Sequence, residues 1–285
     1  MRMTKPLVQI AIAATTSIVL GIAAQAQNNI YGNNAGGGPD VVERFDVNTG
    51  IKQQTYTPSG GNGRGVVVVG NVIYSTAVSD SHIYMTDATT GLPLGSINTV
   101  LPSMSTLAWD GAHYWTTDYA GSNKGYELDA AGNVIKTIAF PLASQYMDGM
   151  EYFNGKLIVN RGDADGIYDI YDLNGNVLTA NFINSAGHAS GGESTGIAYD
   201  GANFIVSDIF DNKLSVYDGT TGAWIKDLAL VGTSPGPFGR LLEDLSVDYS
   251  KRADTAPDGG STLALLGLSL ALCSQLKRRW MAGSK

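Results

Sequence analysis

The sequence has little cysteine, little histidine and few charged residues. Its one cysteine, Cys273, lies near the C-terminus, so no disulfide can form within the chain and its stability must come from a packed core. The three histidines, His82, His113 and His188, are too far apart in sequence to form a recognisable pair of metal ligands. Charged residues make up only 15% of the chain.

The chain also lacks a continuous apolar run of about 20 residues, the length that spans a membrane comfortably. Residues 1–26 instead contain Arg2 and Lys5, a shorter apolar stretch from Ile10 to Ala24, and the small-x-small sequence Ala24-Gln25-Ala26. A charged start, a short apolar middle and such an ending are typical of a secretory signal peptide. The sequence therefore predicts a helical signal peptide over 1–26, removed before Gln27 by signal peptidase.

The C-terminal end combines a short motif, an apolar segment and a basic cluster. Pro257, Asp258, Gly259 and Gly260 precede the segment LALLGLSLALC, which is followed by Lys277, Arg278 and Arg279. The apolar segment is short for a stable span, and the basic cluster favours a cytoplasmic end. A helical tail over 257–285 that anchors the chain transiently in the inner membrane is the expectation.

This tail resembles the Pro-Glu-Pro and Val-Pro-Asp-Ser-Gly sorting tails that exosortases process in Gram-negative bacteria. The sequence departs from the second type at Ala256, in place of Val, and at Gly259, in place of Ser, and six residues follow the arginines. The resemblance implies an exosortase-type processing enzyme as a partner and a final location in the periplasm, on the outer surface or in the extracellular matrix. An ordinary C-terminal membrane anchor is the alternative.

The middle of the chain is acidic once both ends are set aside. It holds 12 basic and 25 acidic residues, a net charge of −13. Nucleic acid and anionic lipid are bound through basic patches, so neither is an expected partner. This balance is compatible with cations, neutral glycans or simple solubility.

A recurring turn is the strongest signal in this middle part. It closes on Gly50, Gly91, Gly132, Gly175 and Gly222, which are 41, 41, 43 and 47 residues apart. Asp, Asn and Gly favour tight turns, and each turn lies between two strand-like stretches with two more β-rich runs upstream. No segment keeps a helical period over three turns. Four strands in about 40 to 45 residues is typical of a propeller blade.

The strand count predicts an all-β fold consisting of a single five-bladed β-propeller. The first unit offers only three strands, and an unpaired strand at 244–250 follows the fifth unit. Pairing the N- and C-terminal strands completes one blade and removes the open edges. The predicted boundaries are a propeller over 27–250 and a linker over 251–256. A hidden sixth blade, or a β-sandwich, remains open as an alternative.

The repeats GANFIVSDIFDNKLSVYDGTTG and GKLIVNRGDADGIYDIYDLNGNVL are similar to those of NHL, YVTN and gluconolactonase-type propellers. The likeness covers nearly all of 28–250. These families include lactonases, lyases and pure binding modules, so the resemblance implies the fold and no particular activity.

Two motifs match known functional patterns in part, but neither has the neighbouring residues or elements that its pattern requires. Gly192-Glu193-Ser194-Thr195-Gly196 matches the G-x-S-x-G pattern of serine hydrolases, but a strand pair follows it where that pattern needs a helix. The stretch from Asp163 has Asn174 at its twelfth position, where an EF-hand loop needs a bidentate glutamate. Neither a serine hydrolase nor an EF-hand is expected.

Topology predicts one polar constellation. In an up-and-down blade, the connection into the innermost strand and the loop between the second and third strands lie on the same face. We call this face the mouth of the channel. The ligand-binding residues predicted there are Arg64, Asp118, Asp148, Arg161, Glu193, Asp208, Glu243 and Asp244.

These carboxylates admit two interpretations. Arg64 and Arg161 could balance their charge internally, in which case no cofactor is required. A bound Ca²⁺ or Mg²⁺ is the alternative, since both take oxygen ligands. Metal-dependent propeller lactonases use such a ring, but their opening Glu-Gly-Pro-Trp type motif and a matched set of Glu, Asn and Asp are absent here.

The sequence therefore predicts an exported cell-surface or matrix-associated module that binds a glycan, such as an extracellular polysaccharide, or a surface protein. Its alternative is a gluconolactonase-like lactone or ester hydrolase that depends on a divalent metal ion. No catalytic residue can be assigned from the sequence.

Overall fold

The computed structural model describes residues 27–34, 40–58, 61–119, 121–162, 166–186, 188, 194–234, 242–252 and 254. These residues form five antiparallel sheets of four strands each. The predicted five-bladed β-propeller is therefore confirmed. The predicted signal peptide and the predicted sorting tail lie outside the described residues.

Each blade takes its four strands from consecutive chain segments, except the first. Blade 1 contains β20 (Leu242–Ser246), β1 (Asn29–Asn34), β2 (Val41–Asp46) and β3 (Lys52–Tyr56). Blade 2 contains β4 (Gly63–Val69), β5 (Val72–Ala77), β6 (His82–Asp87) and β7 (Pro93–Asn98). Blade 3 contains β8 (Ala108–Trp109), β9 (Tyr114–Thr117), β10 (Lys124–Leu128) and β11 (Val134–Ala139).

The remaining two blades complete the ring. Blade 4 contains β12 (Met150–Phe153), β13 (Lys156–Asn160), β14 (Ile167–Asp172) and β15 (Val177–Asn184). Blade 5 contains β16 (Ser194–Tyr199), β17 (Asn203–Asp208), β18 (Lys213–Asp218) and β19 (Trp224–Ala229). A short 3₁₀ helix, Tyr249–Lys251, follows β20. Among the described residues, none forms a helix long and apolar enough to cross a bilayer.

The ring closes as the strand count predicted. Strand β20 pairs with β1 in antiparallel register, with Tyr31 opposite Ser246 and Asn33 opposite Asp244. The innermost strand of blade 1 thus comes from the C-terminal part of the domain and its other three strands from the N-terminal part. Strand β1 thus lies between β20 and β2 and has no free edge, and the removal of this exposed edge is the physical reason for the arrangement.

Burial decreases from the inner to the outer strand of each blade. All residues of β16 and β20 are buried, whereas β7 and β19 are almost entirely exposed. The core therefore lies between the blades, where aromatic and branched side chains from neighbouring sheets pack together. The buried cluster between blades 4 and 5 includes Ile158, Tyr168, Ile170, Phe204 and Tyr217.

Two physical requirements explain why the same residue types recur in these turns. In each turn the aspartate side chain accepts N–H bonds from the residues that follow, and these bonds and those from the turn Thr or Asn side chains lower the pKa of the aspartate. The glycine of each turn has a positive φ, and four of the five, all except Gly91, also pack closely against the preceding blade. A Cβ atom at any of these four positions would lie too close to a backbone carbonyl oxygen of the preceding blade. The distances would be 2.0 Å from Gly50 to Ala229, 2.3 Å from Gly132 to Asn98, 2.4 Å from Gly175 to Ala139 and 1.9 Å from Gly222 to Phe182.

Candidate functional site

Four blades contribute residues to the centre of the mouth. Arg64 lies in β4 of blade 2, Asp118 and Tyr119 follow β9 of blade 3, and Asp148 precedes β12 of blade 4. Glu243 comes from β20 of blade 1. Because every inner strand begins at this end of the channel, residues far apart in sequence lie near one another, as the topology predicted.

Arg64 is neutralised and covered. Its guanidinium Nη1 lies 2.5 Å from Oε1 of Glu243, and both side chains are under 5% exposed. The guanidinium also lies 4.2 Å from the centre of the Tyr119 ring, which is a favourable cation–π arrangement. A buried arginine that already holds a carboxylate has no free charge for an anionic ligand.

An aromatic pair lies beside this ion pair. The rings of Tyr119 and Tyr146 are 5.4 Å apart and tilted by 57°, and Tyr146 is 40% exposed. Tyr146 has φ +60°, which is uncommon for a bulky side chain and requires support from its surroundings. That support comes from blade 4, where Gly162 packs against the Tyr146 carbonyl and Ser144 N–H donates to the Arg161 carbonyl at 2.8 Å.

Two half-buried carboxylates, Asp118 and Asp148, lie within two residues of the tyrosines in the chain. Asp148 Oδ1 accepts a hydrogen bond from Ser105 Oγ at 2.5 Å. Asp118 Oδ2 accepts one from Ser122 Oγ at 3.3 Å. The hydroxyl donors fix both carboxylates, and the partial exposure of these residues allows them to accept further hydrogen bonds from a ligand.

The other predicted mouth residues have different surroundings. Asp244 is completely buried in the channel, and burial raises its pKa well above the usual value although backbone N–H groups of Val66 and Leu107 donate to it. Asp208 is 4% exposed and accepts from the Phe210 N–H at 2.8 Å. Glu193 lies outside the described residues, as do the motif residues Pro257, Asp258, Gly259, Gly260, Lys277, Arg278 and Arg279.

Arg161 was expected to balance the carboxylates of the mouth, but its guanidinium pairs with a carboxylate inside blade 4. Its Nε and Nη2 donate to the two oxygens of Asp169 at 2.7 and 2.8 Å. Asp169 is fully buried in β14, so this bidentate pair belongs to the interior of blade 4. The sequence contained a signal for it, because Asp169 interrupts an otherwise apolar strand, IYDIYD, and buried carboxylates need a partner.

Sequence reasoning also missed a buried network at the opposite end of the channel. Arg252 Nη1 donates to Glu151 Oε1 at 2.8 Å, and the Tyr249 hydroxyl donates to the same oxygen. Arg252 also pairs with Asp254 at 2.8 Å and stacks 4.3 Å from the Tyr249 ring. Arg252 and Asp254 lie in the predicted linker 251–256, so the packed structure extends beyond residue 250.

The serine of the G-x-S-x-G motif is a structural residue. Ser194 is 2% exposed in β16, and its Oγ lies 2.6 Å from Ser185 Oγ. Strand β17 follows β16 where a hydrolase nucleophile needs a helix. This agrees with the rejection of a serine hydrolase.

Comparison with known proteins supports the fold of this chain. The chain matches no protein-family model, and no curated protein is detectably similar to it in sequence. A chain in the crystal structure of a nidogen–laminin complex superposes with a TM-score of 0.52 at 14% identity, over 78% of this chain and 99% of that one. The glutaminyl cyclase of Myxococcus xanthus gives a TM-score of 0.49 at 13% identity, over 65% of this chain and 90% of that one. At 14% identity the first likeness shows the fold alone, a β-propeller.

Proposed function

We propose that the protein is an exported surface or matrix module that binds a neutral, hydroxyl-rich ligand, such as an extracellular polysaccharide, at the mouth. The observation that carries this proposal is the exposed Tyr146 ring, held against Tyr119 and close in the chain to Asp118 and Asp148. Aromatic rings stack on the apolar faces of sugars, and carboxylates accept hydrogen bonds from their hydroxyl groups. Arg64 is occupied by Glu243, which disfavours an anionic ligand.

The positions of the two ends of the propeller domain support a scaffold role. Gln27 Nε2 donates to the Asp248 carbonyl at 2.9 Å, and Asp254 Oδ2 accepts from the Asn154 N–H at 2.9 Å. Both contacts are at the end of the channel opposite the mouth. A tail that begins at Pro257 and is held in a membrane would therefore direct the mouth away from that membrane.

Binding to a panel of soluble neutral and acidic polysaccharides tests the ligand. Tyr146→Ala should abolish binding of the neutral members. Trp224→Ala is the matched control, since Trp224 is a similarly exposed aromatic residue on β19 of blade 5. Equal loss in both variants, or binding of acidic polysaccharides only, would contradict the proposal. Lactone or ester hydrolysis that depends on added metal would favour the hydrolase alternative.

Export and tail processing have a separate test. Mass spectrometry of the mature protein from its host should find an N-terminus at Gln27 and no peptide beyond about Pro257, because processing segments are removed. An intact Lys285 terminus on the mature protein would contradict processing of the tail, whatever the result of the binding assay.

A further inference from the structure

A group of potential metal ligands lies on blade 3, away from the mouth. Asp110 is in the β8–β9 turn, His113 directly precedes β9, and Glu127 is in β10. One ligand atom from each residue lies within 4.8 Å of the other two. His113 Nδ1 is 3.0 Å from Glu127 Oε1 and 3.7 Å from Asp110 Oδ2.

The carboxylate of Asp110 is fixed independently of the histidine ring. Its Oδ1 accepts from the backbone N–H groups of Ala112 at 2.8 Å and His113 at 2.7 Å. Its Oδ2 accepts from Trp115 Nε1 at 2.9 Å. Hydrogen bonds of this kind orient the ligands of metal sites and raise their affinity.

Strand register brings the other two side chains to the same place. Glu127 is directly opposite Trp115 in the β9–β10 pair. His113 precedes Trp115 by two residues, so both point to the same face of the sheet. His113 and Glu127 are therefore diagonal neighbours, which long side chains can bridge.

The repeat shows that the blade does not need this polar group. Blade 5 has the same turn, with Asp200 Oδ1 accepting from the N–H groups of Ala202 and Asn203 at 2.8 and 2.7 Å. Its register places Asn203 where blade 3 has His113, and Val216 where blade 3 has Glu127. The positions equivalent to Glu127 in blades 2 and 4 are Met85 and Ile170. Blade 1 has Arg44 at this position. Three of the other four blades therefore have an apolar residue where blade 3 has a carboxylate beside its histidine.

We propose that Asp110, His113 and Glu127 form a binding site for a divalent transition-metal ion such as Zn²⁺. One imidazole nitrogen and two carboxylates are ligands that zinc accepts, whereas Ca²⁺ and Mg²⁺ prefer oxygen ligands throughout. A neutral His113 and two carboxylates would balance the charge of the ion. Two ligands that each lie about 2 Å from a tetrahedral zinc are roughly 3.3 Å apart, and the distances of 3.0 and 3.7 Å from His113 Nδ1 to the two carboxylates lie close to this value.

Zinc titration of the tag-free, chelator-stripped full chain tests the site by calorimetry and by thermal melting. We expect one equivalent of Zn²⁺ to bind and to raise the melting temperature, with no comparable effect of Ca²⁺. His113→Asn and Glu127→Gln should each weaken binding at least about tenfold, the lower end of the effect of disturbing a metal site. Both variants should remain folded, since blade 5 has Asn at the first position and uncharged Val at the second.

His82→Asn is the matched control. His82 Nδ1 also lies beside a carboxylate, 2.5 Å from Asp80 Oδ1, but the group on blade 3 alone brings three ligand atoms together among the described residues. Zinc binding should be unchanged in this variant. An absence of zinc binding in the unmodified protein, or equal affinity in His113→Asn, would overturn the proposal and leave the group as an internal ion pair.

Discussion

Asp244 Oδ2 accepts a hydrogen bond from the backbone N–H of Val66 at 3.0 Å, across a sequence separation of 178 residues. The same separation recurs twice along the channel, because alternate side chains of the closing strand accept from alternate N–H groups of the blade 2 inner strand. The three pairs are Asp244 with Val66, Ser246 with Val68, and Asp248 with Gly70. Side chains thus accept hydrogen bonds along the inner edge of β4, which is the edge strand of its four-stranded sheet.

Replacing Asp244 should change the pH dependence of stability. Burial raises the folded-state pKa of Asp244, so the folded protein binds this proton more tightly than the unfolded chain. The resulting stabilisation is complete below the unfolded pKa of about 3.9 and is lost as the pH rises towards the folded pKa. Relative to Asp244→Asn, the free energy of unfolding of the unmodified protein should therefore fall as the pH rises from 4 to 7.

Urea unfolding at several pH values measures this difference. Asp129→Asn is a control of opposite sign, because its neighbour Asn133 and nearby N–H groups lower the pKa of Asp129. Parallel pH profiles for Asp244→Asn and the unmodified protein would refute a raised pKa. Asp244→Ala should be less stable than Asp244→Asn by about 2 kcal/mol or more, because it leaves the N–H groups of Val66 and Leu107 without their acceptor.

The fold was predictable to the level of blade number and closure, and the reason is visible in the turns. Gly222 and its equivalents recur because every turn needs a residue with a positive φ, and in four of the five blades the glycine must also fit against the neighbouring blade. Arg252 and Asp169 were not predicted because each meets a requirement that occurs once. Partners such as Glu151 and Arg252, which are 101 residues apart, carry no local pattern that sequence reading can detect.

The side-chain pairs at the mouth and on blade 3 show the same limit of prediction from sequence. Topology predicted that Arg64 and Glu243 would share a face, but the pairing of Arg161 with Asp169 depends on which way one side chain turns at the end of β13. Likewise, His113 has no ligand partner at a familiar sequence spacing, and Glu127 approaches it only through the register of β9 and β10. Sequence spacing is informative within a turn or helix, and it loses that value across a sheet.

Alanine at two of the turn glycines should separate backbone strain from packing between blades. Gly91 and Gly222 have φ values of +73° and +70°, so alanine at either should cost about 1–2 kcal/mol from the left-handed conformation. At Gly222 the new Cβ would also meet the Phe182 carbonyl, whereas at Gly91 the nearest atom is 3.8 Å away. Gly222→Ala should therefore lose about 1–3 kcal/mol more in urea unfolding. Equal losses would mean that the contact with blade 4 is unimportant.

Removing Arg252 should strongly destabilise the domain although it lies in the predicted linker. Arg252→Met leaves the buried carboxylate of Glu151 without its cation, and breaking such a pair typically costs about 3–5 kcal/mol. Lys251→Met is the neighbouring control, because its contact with Asp248 is partly exposed and worth about 0–1 kcal/mol. The double variant Glu151→Gln with Arg252→Met should recover part of the loss. Similar unfolding free energies for Arg252→Met and Lys251→Met would show that the network does not hold the C-terminal segment.

Calcium should have little effect on the melting temperature of the full chain. A cation that binds only the folded state stabilises it by about 2.7 kcal/mol at a hundredfold excess over its dissociation constant, but Arg64 already balances Glu243 and Ser105 already donates to Asp148. We therefore expect the zinc-free protein to have equal melting temperatures in EDTA and in millimolar Ca²⁺ or Mg²⁺. Asp148→Asn and Glu193→Gln should behave alike in this comparison. A rise with calcium in the unmodified protein that either substitution abolishes would instead establish a metal site at the mouth, and it would favour the metal-dependent hydrolase over the binding module.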